Sequence, residues 1–433
     1  MGLSVVILAA GKGTRMKSSK AKVLHKICDE PMLYYSIKES LAISDDVTVI
    51  TGHQKDQVDE FIRTNFSNIT IIEQDIQNFP GTGGALKEFM PKHERVVVLN
   101  GDMPLIQADT IKSFENSNAQ IVMSTIDMQN PEGYGRVITD EHGHVQKIVE
   151  QKDATDEEKA VTSVNAGVYS FQSSFLVEHI KKLSNDNAQK EYYLTDLVGM
   201  AKEQNFTIDA IKVEEAEFMG VNSKKDLSNA QEVMLRRIRD HWMKSGVTMS
   251  IPETIYIGTH VTFEGECELQ SNVWIEGETK IEASLIKSGT VIENAIIKNS
   301  SVGPMARIRP QSELEECGIG NFVEVKKSQL NGVKAGHLSY IGDAQIDEGT
   351  NIGAGTITCN YDGKKKYKTT IGKNVFIGSD SQLVAPVVIE DDVMIAAGTT
   401  VTSGTINKGS LAISRTPIRQ VSGFFYKFFG AKK

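Results

Sequence analysis

From Ile251 onward, apolar residues return every six positions: Ile257, Phe263, Leu269, Ile275 and Ile281. The phase then slips. It resumes at Ile371, Ile377, Leu383, Ile389, Ile395 and Val401, with shorter matches at Val302, Ile308 and Leu314 and at Ile341-Gly342. A six-residue period fits neither an α-helix nor an alternating strand. It predicts a coil of short strands, each sending one aliphatic side chain inward before a corner, with three hexads to a triangular turn. Glycine follows several of these aliphatics, at Gly258, Gly342, Gly353, Gly372 and Gly378, and glycine suits a tight corner. Chance spacing in a generic β-rich domain is the alternative, and two long runs in register argue against it. Solenoids need covered ends, so the aromatic stretch Thr416–Phe429 is expected to form a cap.

The first half has another rhythm. Val5–Ala10, Val47–Thr51, Ile69–Glu73, Val96–Asn100 and Ile121–Thr125 are short β-branched runs, separated by amphipathic stretches such as Met32–Ala42 and Gln54–Thr64. Such alternation predicts an α/β domain with a Rossmann-like, mixed but mostly parallel sheet. In Ser223–Ser245 the apolar residues Leu227, Ala230, Met234, Ile238 and Trp242 have helical spacing among many charges. This predicts a linker helix with Ser223 as N-cap and Gly246 as stop. The expected domains are 1–224, the linker helix 225–246, and 247–433.

A chain of 433 residues is long enough for two or three domains. The net charge of −9 argues against a general nucleic-acid or anionic-membrane binder, though a local basic pocket can still hold phosphates. Cys28, Cys267, Cys317 and Cys359 form no CxxC pair, so neither a zinc nor a redox motif is indicated. Free thiols suit a reducing cytoplasm. The run Val5–Ala10 is too short for a signal or membrane segment. We expect a soluble cytoplasmic protein without stable membrane association.

The strand Val5–Ala10 runs into Gly11-Lys12-Gly13-Thr14-Arg15-Met16. Glycines after a strand let backbone N–H groups approach phosphate oxygens, and Lys12 and Arg15 add positive charge. The string is not a Walker A loop and lacks the third glycine of a dinucleotide fingerprint. On glycines alone, an ordinary strand-to-helix turn fits equally well. Likewise Asp102, shortly before Pro104, fits a turn, and a lone histidine such as His337 is more often structural.

The wider string Leu8-Ala-Ala-Gly-Lys-Gly-Thr-Arg-Met16, followed by Lys22-Val-Leu-His25, resembles the signature of sugar-1-phosphate nucleotidyltransferases. Further matches follow in order: Gly81-Thr82-Gly83, Asn100-Gly101-Asp102, Gly133-Tyr134-Gly135-Arg136, Ile148-Val-Glu150, Val164-Asn165-Ala-Gly167 and Gly220-Val221-Asn222. With the hexads, nearly the whole chain resembles the bacterial bifunctional N-acetylglucosamine-1-phosphate uridyltransferase/glucosamine-1-phosphate N-acetyltransferase family. The resemblance implies a left-handed parallel β-helix of hexapeptide repeats behind the α/β nucleotidyltransferase domain. It also implies two reactions. Glucosamine-1-phosphate is acetylated with acetyl-CoA. N-acetylglucosamine-1-phosphate then reacts with UTP to give UDP-N-acetylglucosamine and pyrophosphate, feeding peptidoglycan and lipopolysaccharide synthesis.

For the uridyl step the resemblance implies Mg²⁺ held by Asp102 and Asn222, and the triphosphate held by Arg15 and Lys22 at the loop Leu8, Ala9, Ala10 and Gly11. Gly81, Thr82 and Gln74 would contact uracil, Asn100 and Gly101 would also bind the nucleotide or sugar, and Gly135, Glu150 and Asn165 would hold the sugar. For the acetyl step it implies His337 as base. A separate expectation is that Glu324 orients or assists it. Arg309, Lys326, Tyr340 and Asn351 would bind sugar phosphate, and Ala354, Asn360, Tyr361, Ser379, Ala397 and Arg415 would bind acetyl-CoA. The segment Thr358–Gly363 breaks the hexads and should loop out of the coil. Cys359 within it reads as a packed thiol, and Lys364–Lys368 as a solvated loop that could attract CoA phosphates. A homotrimer is implied too. Two positions depart from the family pattern, Gly84 where histidine is usual and Ala21 where proline is common. The rival reading is a monofunctional sugar-1-phosphate nucleotidyltransferase with the β-helix as an assembly scaffold.

Overall fold

The computed structural model describes residues 2–132, 135–149, 154–187 and 189–430. The chain divides into two compact units, Met1–Met234 and Leu235–Lys433.

The first unit is built on one mixed sheet. Its strands are β1 (Leu3–Leu8), β4 (Asp46–Thr51), β5 (Ile69–Glu73), β6 (Arg95–Asn100), β7 (Ile121–Asp127), β10 (Ser163–Gln172) and β11 (Ile208–Lys212), after a small hairpin of β2 (Lys26–Ile27) and β3 (Glu30–Pro31). The order across the sheet is β11-β7-β10-β6-β1-β4-β5, with β8 (Arg136–Thr139) and β9 (Val145–Val149) as an appended pair. Strands β6, β1, β4 and β5 run parallel, whereas β10 is antiparallel to both β6 and β7. Helices α1 (Met32–Leu41) and α2 (Lys55–Asn65) follow the early strands, and α3 (Ala108–Ser113), α4 (Asp156–Lys159), α5 (Ser173–His179) and α6 (Asp196–Glu203) the later ones. Val5, Ile7, Val97 and Leu99 point to one buried layer, and Val6, Val96 and Val98 to the other. That is why β1 and β6 read as continuous apolar runs rather than alternating ones. The chain leaves β1 toward β4 and β5, then returns to place β6 on the other side of β1. Open α/β sheets bind ligands at such a reversal, outside the strands' C-terminal ends. Here those ends carry Leu8–Gly11 and Asn100–Asp102.

Helix α7 (Lys224–Lys244) carries the division between the units. Ser223 is its N-cap: the hydroxyl accepts from Asp226 N at 3.2 Å, and the Asp226 carboxylate accepts from Ser223 N at 2.8 Å. Gly246, with φ of 101°, ends the turn after the helix.

The second unit is a three-sided parallel β-helix. Ten strands from Thr248–Met249 to Leu411–Ala412 form its first face, nine from Tyr256–Ile257 to Thr400–Val401 its second, and nine from Thr262–Glu264 to Gly404–Ile406 its third. Inward ladders fill it. On the second face, Ile257, Ile275, Ile292, Ile308, Val325 and Ile341 stack in register. Each is essentially inaccessible to solvent, so each contributes about 1.5–3 kcal/mol of burial. The hexad phase slips because the coils through Ile292, Ile308, Val325 and Ile341 have shorter corners than the eighteen-residue coil from Ile257 to Ile275. Two expectations need correction. Ile251 is half exposed with φ of 56°, at the corner before a short 3₁₀ turn, so the inward series begins at Ile257. The C-terminal stretch does not cap the coil: every residue of helix α8 (Phe424–Phe429) is exposed. The other end is covered, since Trp242 of α7 packs edge-on against Phe263 at 5.1 Å. Among the described residues, no helix is long and apolar enough to cross a membrane.

Candidate active sites

In the first unit, a cavity of about 680 Å³ opens at the predicted sheet reversal. Leu8, Ala9, Ala10, Gly11, Lys22, Gln74, Gly81, Thr82, Asn100, Asp102 and Asn222 line it together. The glycine loop lies against the turn that carries Lys22. A side chain at Gly13, where φ is 60°, would come within 2.7 Å of Lys22 Cβ.

The polar centre is a knot of opposite charges. The Lys22 ammonium pairs with the Asp102 carboxylate, both largely buried, and also donates to Asn222 Oδ1 at 3.3 Å. Arg15 donates to the same oxygen at 2.8 Å. Asn222 is held there because Val221 N donates to Asp102 O at 2.9 Å and Asn222 N to the Asp226 carboxylate at 3.0 Å. A carboxylate and an amide oxygen thus converge on one cation. That donor set fits a hard divalent ion, which takes one or two protein oxygens and leaves its other positions to water and phosphate.

Gln74 donates its amide to Phe79 O and Gly81 O, each at 2.9 Å, tying the segment Asp75–Pro80 to the cavity wall. Thr82 Oγ1 accepts from Leu194 N at 3.1 Å. The residues expected on the sugar side stand one strand over. Asn100 donates to Gly167 O at 3.2 Å, Gly167 N donates to Asn165 Oδ1 at 2.9 Å, and Asn165 N donates to Gly135 O at 3.4 Å. Asn165 sits where β10 shifts register against β7. Gly101 donates to Leu8 O at 2.9 Å and so links β6 to β1. Glu150 lies outside the described residues.

Both departures have local reasons. A Cβ at Gly84 would lie 2.1 Å from Phe79 O, so the segment Asp75–Pro80 occupies the space a histidine would need. Ala21 N donates to Gln57 Oε1 at 3.1 Å, a bond proline cannot make. His53, Ile76, Glu191 and Tyr193 also line the cavity and escaped the sequence reading. No motif marks the last two. The backbone pairing of Tyr192 with Pro80 and Gly83, and the Leu194 N–Thr82 Oγ1 bond, bring them in.

In the second unit, the expected acetyl-site residues fall on two edges of the prism. His337 is exposed at the corner that ends the first face. Register places Asn321 beneath it, and continuing the ladder puts Ala354, Ser379 and Ala397 above it. Asp380 N donates to Ala354 O and Gly398 N to Ser379 O, both at 2.8 Å, which confirms the stacking. Arg415 lies over Gly398, its Cδ 3.9 Å from where a Cβ would stand. Asn351 lies on the same face between Lys334 and Phe376.

The other edge ends the second face. Asp343 there gathers Lys326 at 3.7 Å, Lys327 at 4.0 Å and the Asn360 amide at 2.5 Å, and that amide also lies 3.5 Å from the Tyr340 hydroxyl. The neighbouring Lys326 ammonium lowers the pKa of Lys366. The hexads do break here. The chain leaves the coil after Cys359 and bends back, with Tyr361 bridged to Lys366. Burial raises the Cys359 thiol's pKa, as expected of a packed thiol rather than a nucleophile. Within one chain Glu324 stands on the second face, where its carboxylate accepts from Arg309 at 2.8 Å, and His337 ends the first face.

Comparison with known proteins follows the same division. The nucleotidyl transferase family matches residues 4–236, more than half of the chain, and the bacterial transferase hexapeptide (six repeats) family matches residues 368–403. The chain is 61% identical to the bifunctional protein GlmU of a Nitratiruptor species, over 99% of this chain and 100% of that one. It is 58% identical to the protein of that name from a Sulfurovum species, over the whole of both chains. The figure for Sulfurimonas denitrificans is 59%, over 99% of each. A nucleotidyltransferase sheet followed by a left-handed parallel β-helix of hexapeptide repeats is the fold class. The chain therefore belongs to the family of the bifunctional protein GlmU.

Proposed function

We propose that the chain makes UDP-N-acetylglucosamine in two steps, with residues 1–224 as uridyltransferase, 225–246 as linker helix and 247–433 as N-acetyltransferase. One observation carries the reading: two separate polar constellations, each suited to one half-reaction, lie in two separate units of a chain that matches the bifunctional relatives end to end.

In the acetyl step, the amine of glucosamine-1-phosphate attacks the thioester carbon of acetyl-CoA. The C–S bond breaks and CoA leaves. His337 takes the proton of the amine. Lys326 and Arg309 hold the sugar phosphate, with Tyr340 and Asn351 on the sugar. Ala354, Ser379, Ala397 and Arg415 form a rail of small residues, ending in a cation, along which acetyl-CoA lies, and Asn360 and Tyr361 close over it. Because these residues occupy two prism edges, a complete site needs more than one copy of the chain, and we read the assembly as a homotrimer. Met305, Phe322 and Leu338, stacked and over half exposed at the corner beside His337, supply apolar surface for it.

In the uridyl step, a phosphate oxygen of N-acetylglucosamine-1-phosphate attacks the α-phosphorus of UTP, and the bond to the leaving pyrophosphate breaks. Mg²⁺, when bound, supplies charge neutralisation on the phosphates. Asp102 and Asn222 would hold it, releasing Lys22 and Arg15 to the triphosphate. Gln74, Gly81 and Thr82 meet the uracil, while Asn165, Gly135 and Glu150 hold the sugar. The cytoplasm is the assigned compartment, in keeping with four cysteines that form no disulfide.

The test assays the purified protein separately for CoA release with glucosamine-1-phosphate and for pyrophosphate release with UTP and N-acetylglucosamine-1-phosphate. Both activities are expected. His337→Ala should abolish only the first, and Asp102→Ala only the second. Pyrophosphate release alone would favour a monofunctional enzyme with a scaffold β-helix. Loss of both activities from either variant, in folded protein, would refute separate sites.

A further inference from the structure

His25 is a buried histidine, 8% exposed, which the uridyl mechanism does not use. It follows the 3₁₀ turn Lys22–Leu24 and closes it, donating its N–H to Lys22 O at 3.3 Å. Its own carbonyl accepts from Met32 N at 3.0 Å, fixing that turn to the start of α1. The ring reaches the opposite wall. His25 Nδ1 lies 3.1 Å from the ammonium of Lys224, the first residue of α7. An ammonium only donates, so Nδ1 accepts and the ring proton sits on Nε2, a buried atom without a partner among the described residues.

Two links thus join the turn carrying Lys22 to the segment carrying Asn222. One is the Lys22–Asn222 contact at 3.3 Å. The other is His25–Lys224. The reaction proposed above opens the first link, because Lys22 goes to phosphate and Asn222 to the cation. The second link remains, and Asn222 is rigidly attached to it, since Asn222 N and Ser223 N both donate to the Asp226 carboxylate within the first turn of α7.

We propose that His25 and Lys224 form a positioning pair which, together with the Val221 N–Asp102 O bond at 2.9 Å, holds Asn222 in register with Asp102 once Lys22 has turned to the nucleotide. This rests on the uridyltransferase reading of the same site. The charged groups facing the ring are Lys224 from α7 and Lys20 from the preceding loop. Burial first, then these two cations, hold its pKa below the ordinary histidine value and keep the ring a neutral acceptor.

The test uses the full chain and Mn²⁺ as the probe. Mn²⁺ binding in the presence of UTP, without sugar phosphate, is followed by electron paramagnetic resonance, and uridyl turnover is measured alongside. Lys224→Met should weaken Mn²⁺ binding and lower kcat about tenfold each, with little change in KM for UTP. Lys224→Arg, which keeps a donor, should recover both to within about threefold. Should Lys224→Met fold poorly, His25→Asn and His25→Leu replace it. The asparagine Oδ1 takes the place of Nδ1 and should retain Mn²⁺ binding, whereas leucine should lose it. Wild-type Mn²⁺ affinity in Lys224→Met or His25→Leu, or an arginine variant as impaired as the methionine one, would overturn the proposal. Wild-type protein that binds Mn²⁺ but releases no pyrophosphate would instead overturn the uridyltransferase reading.

Discussion

Gly84→Ala adds one methyl group where backbone already stands. The new Cβ would lie 2.1 Å from Phe79 O and 2.6 Å from Phe79 C. Because these are main-chain atoms, no rotamer change relieves the overlap, and the segment Asp75–Pro80 must move outward by about 1 Å to reach ordinary contact. That segment is held by Gln74 through the bond to Phe79 O at 2.9 Å and by Phe79 N donating to Asp75 O at 2.8 Å. Overpacking of this kind costs about 1–3 kcal/mol. At about 2–4 °C per kcal/mol for a unit of this size, the midpoint of the first unit's thermal transition should fall by about 2–12 °C. Ile76 and Pro80 of the same segment line the nucleotide cavity, so KM for UTP should rise about tenfold while acetyl transfer is unchanged. Calorimetry and the two activity assays read these outcomes. A variant with an unchanged midpoint and unchanged KM for UTP would refute the idea that Gly84 is fixed by the course of this segment.

Two further outcomes test each unit's stability. Burial works to raise the Asp46 carboxyl, but hydrogen bonds from Ser4 Oγ at 2.6 Å and Lys92 N at 3.0 Å, with the Lys92 ammonium at 3.1 Å, outweigh it and depress its pKa. Its stabilisation is therefore present above the ordinary carboxylate range and lost as pH falls through the depressed value. Asp46→Ala should cost about 1–3 kcal/mol in urea unfolding at pH 7 and progressively less in acid; a cost that grows in acid would contradict the assignment. In the second unit Ile308 is wholly buried between Ile292 and Val325. Ile308→Ala should cost about 2–5 kcal/mol and Ile308→Val about 1 kcal/mol by denaturant titration, and a negligible alanine effect would mean the coil interior is not close-packed.

The architecture was legible because it repeats. Hexads report inward side chains directly, and β1 and β6, buried on both faces, read as unbroken apolar runs. The slip in phase was visible but not its cause, since a corner shortened by one or two residues leaves no mark beyond the lost period. The C-terminal aromatics misled because hydrophobicity reports a need for cover without saying what provides it. Motifs marked Asp102, Lys22 and Asn222, yet their common meeting point depends on a sheet reversal and on the first turn of α7. Glu191 and Tyr193 were hidden for the same reason: main-chain bonds from Tyr192 bring them to the cavity, and main-chain bonds have no side-chain signature. The pairing of Glu324 with Arg309 within one chain follows from the second face that both occupy, and residue spacing alone does not resolve that.

The column that rises from His337 through Ala354, Ser379 and Ala397 has a metric consequence. Neighbouring parallel strands lie about 4.8 Å apart, so the three steps from His337 to Ala397 span about 14 Å. The helix is in effect a ruler, graduated by the backbone hydrogen bonds themselves. Solenoids usually accept gain or loss of a repeat, because each repeat contacts only its neighbours. On the acetyl-CoA site proposed above, this one has a stretch where the count is fixed. Between His337 and Arg415, an added or missing coil would displace one end of a bound carrier by about 4.8 Å, several bond lengths, while leaving the core as well packed as before. On that proposed site, repeat number between His337 and Arg415 is constrained by the length of a ligand rather than by folding.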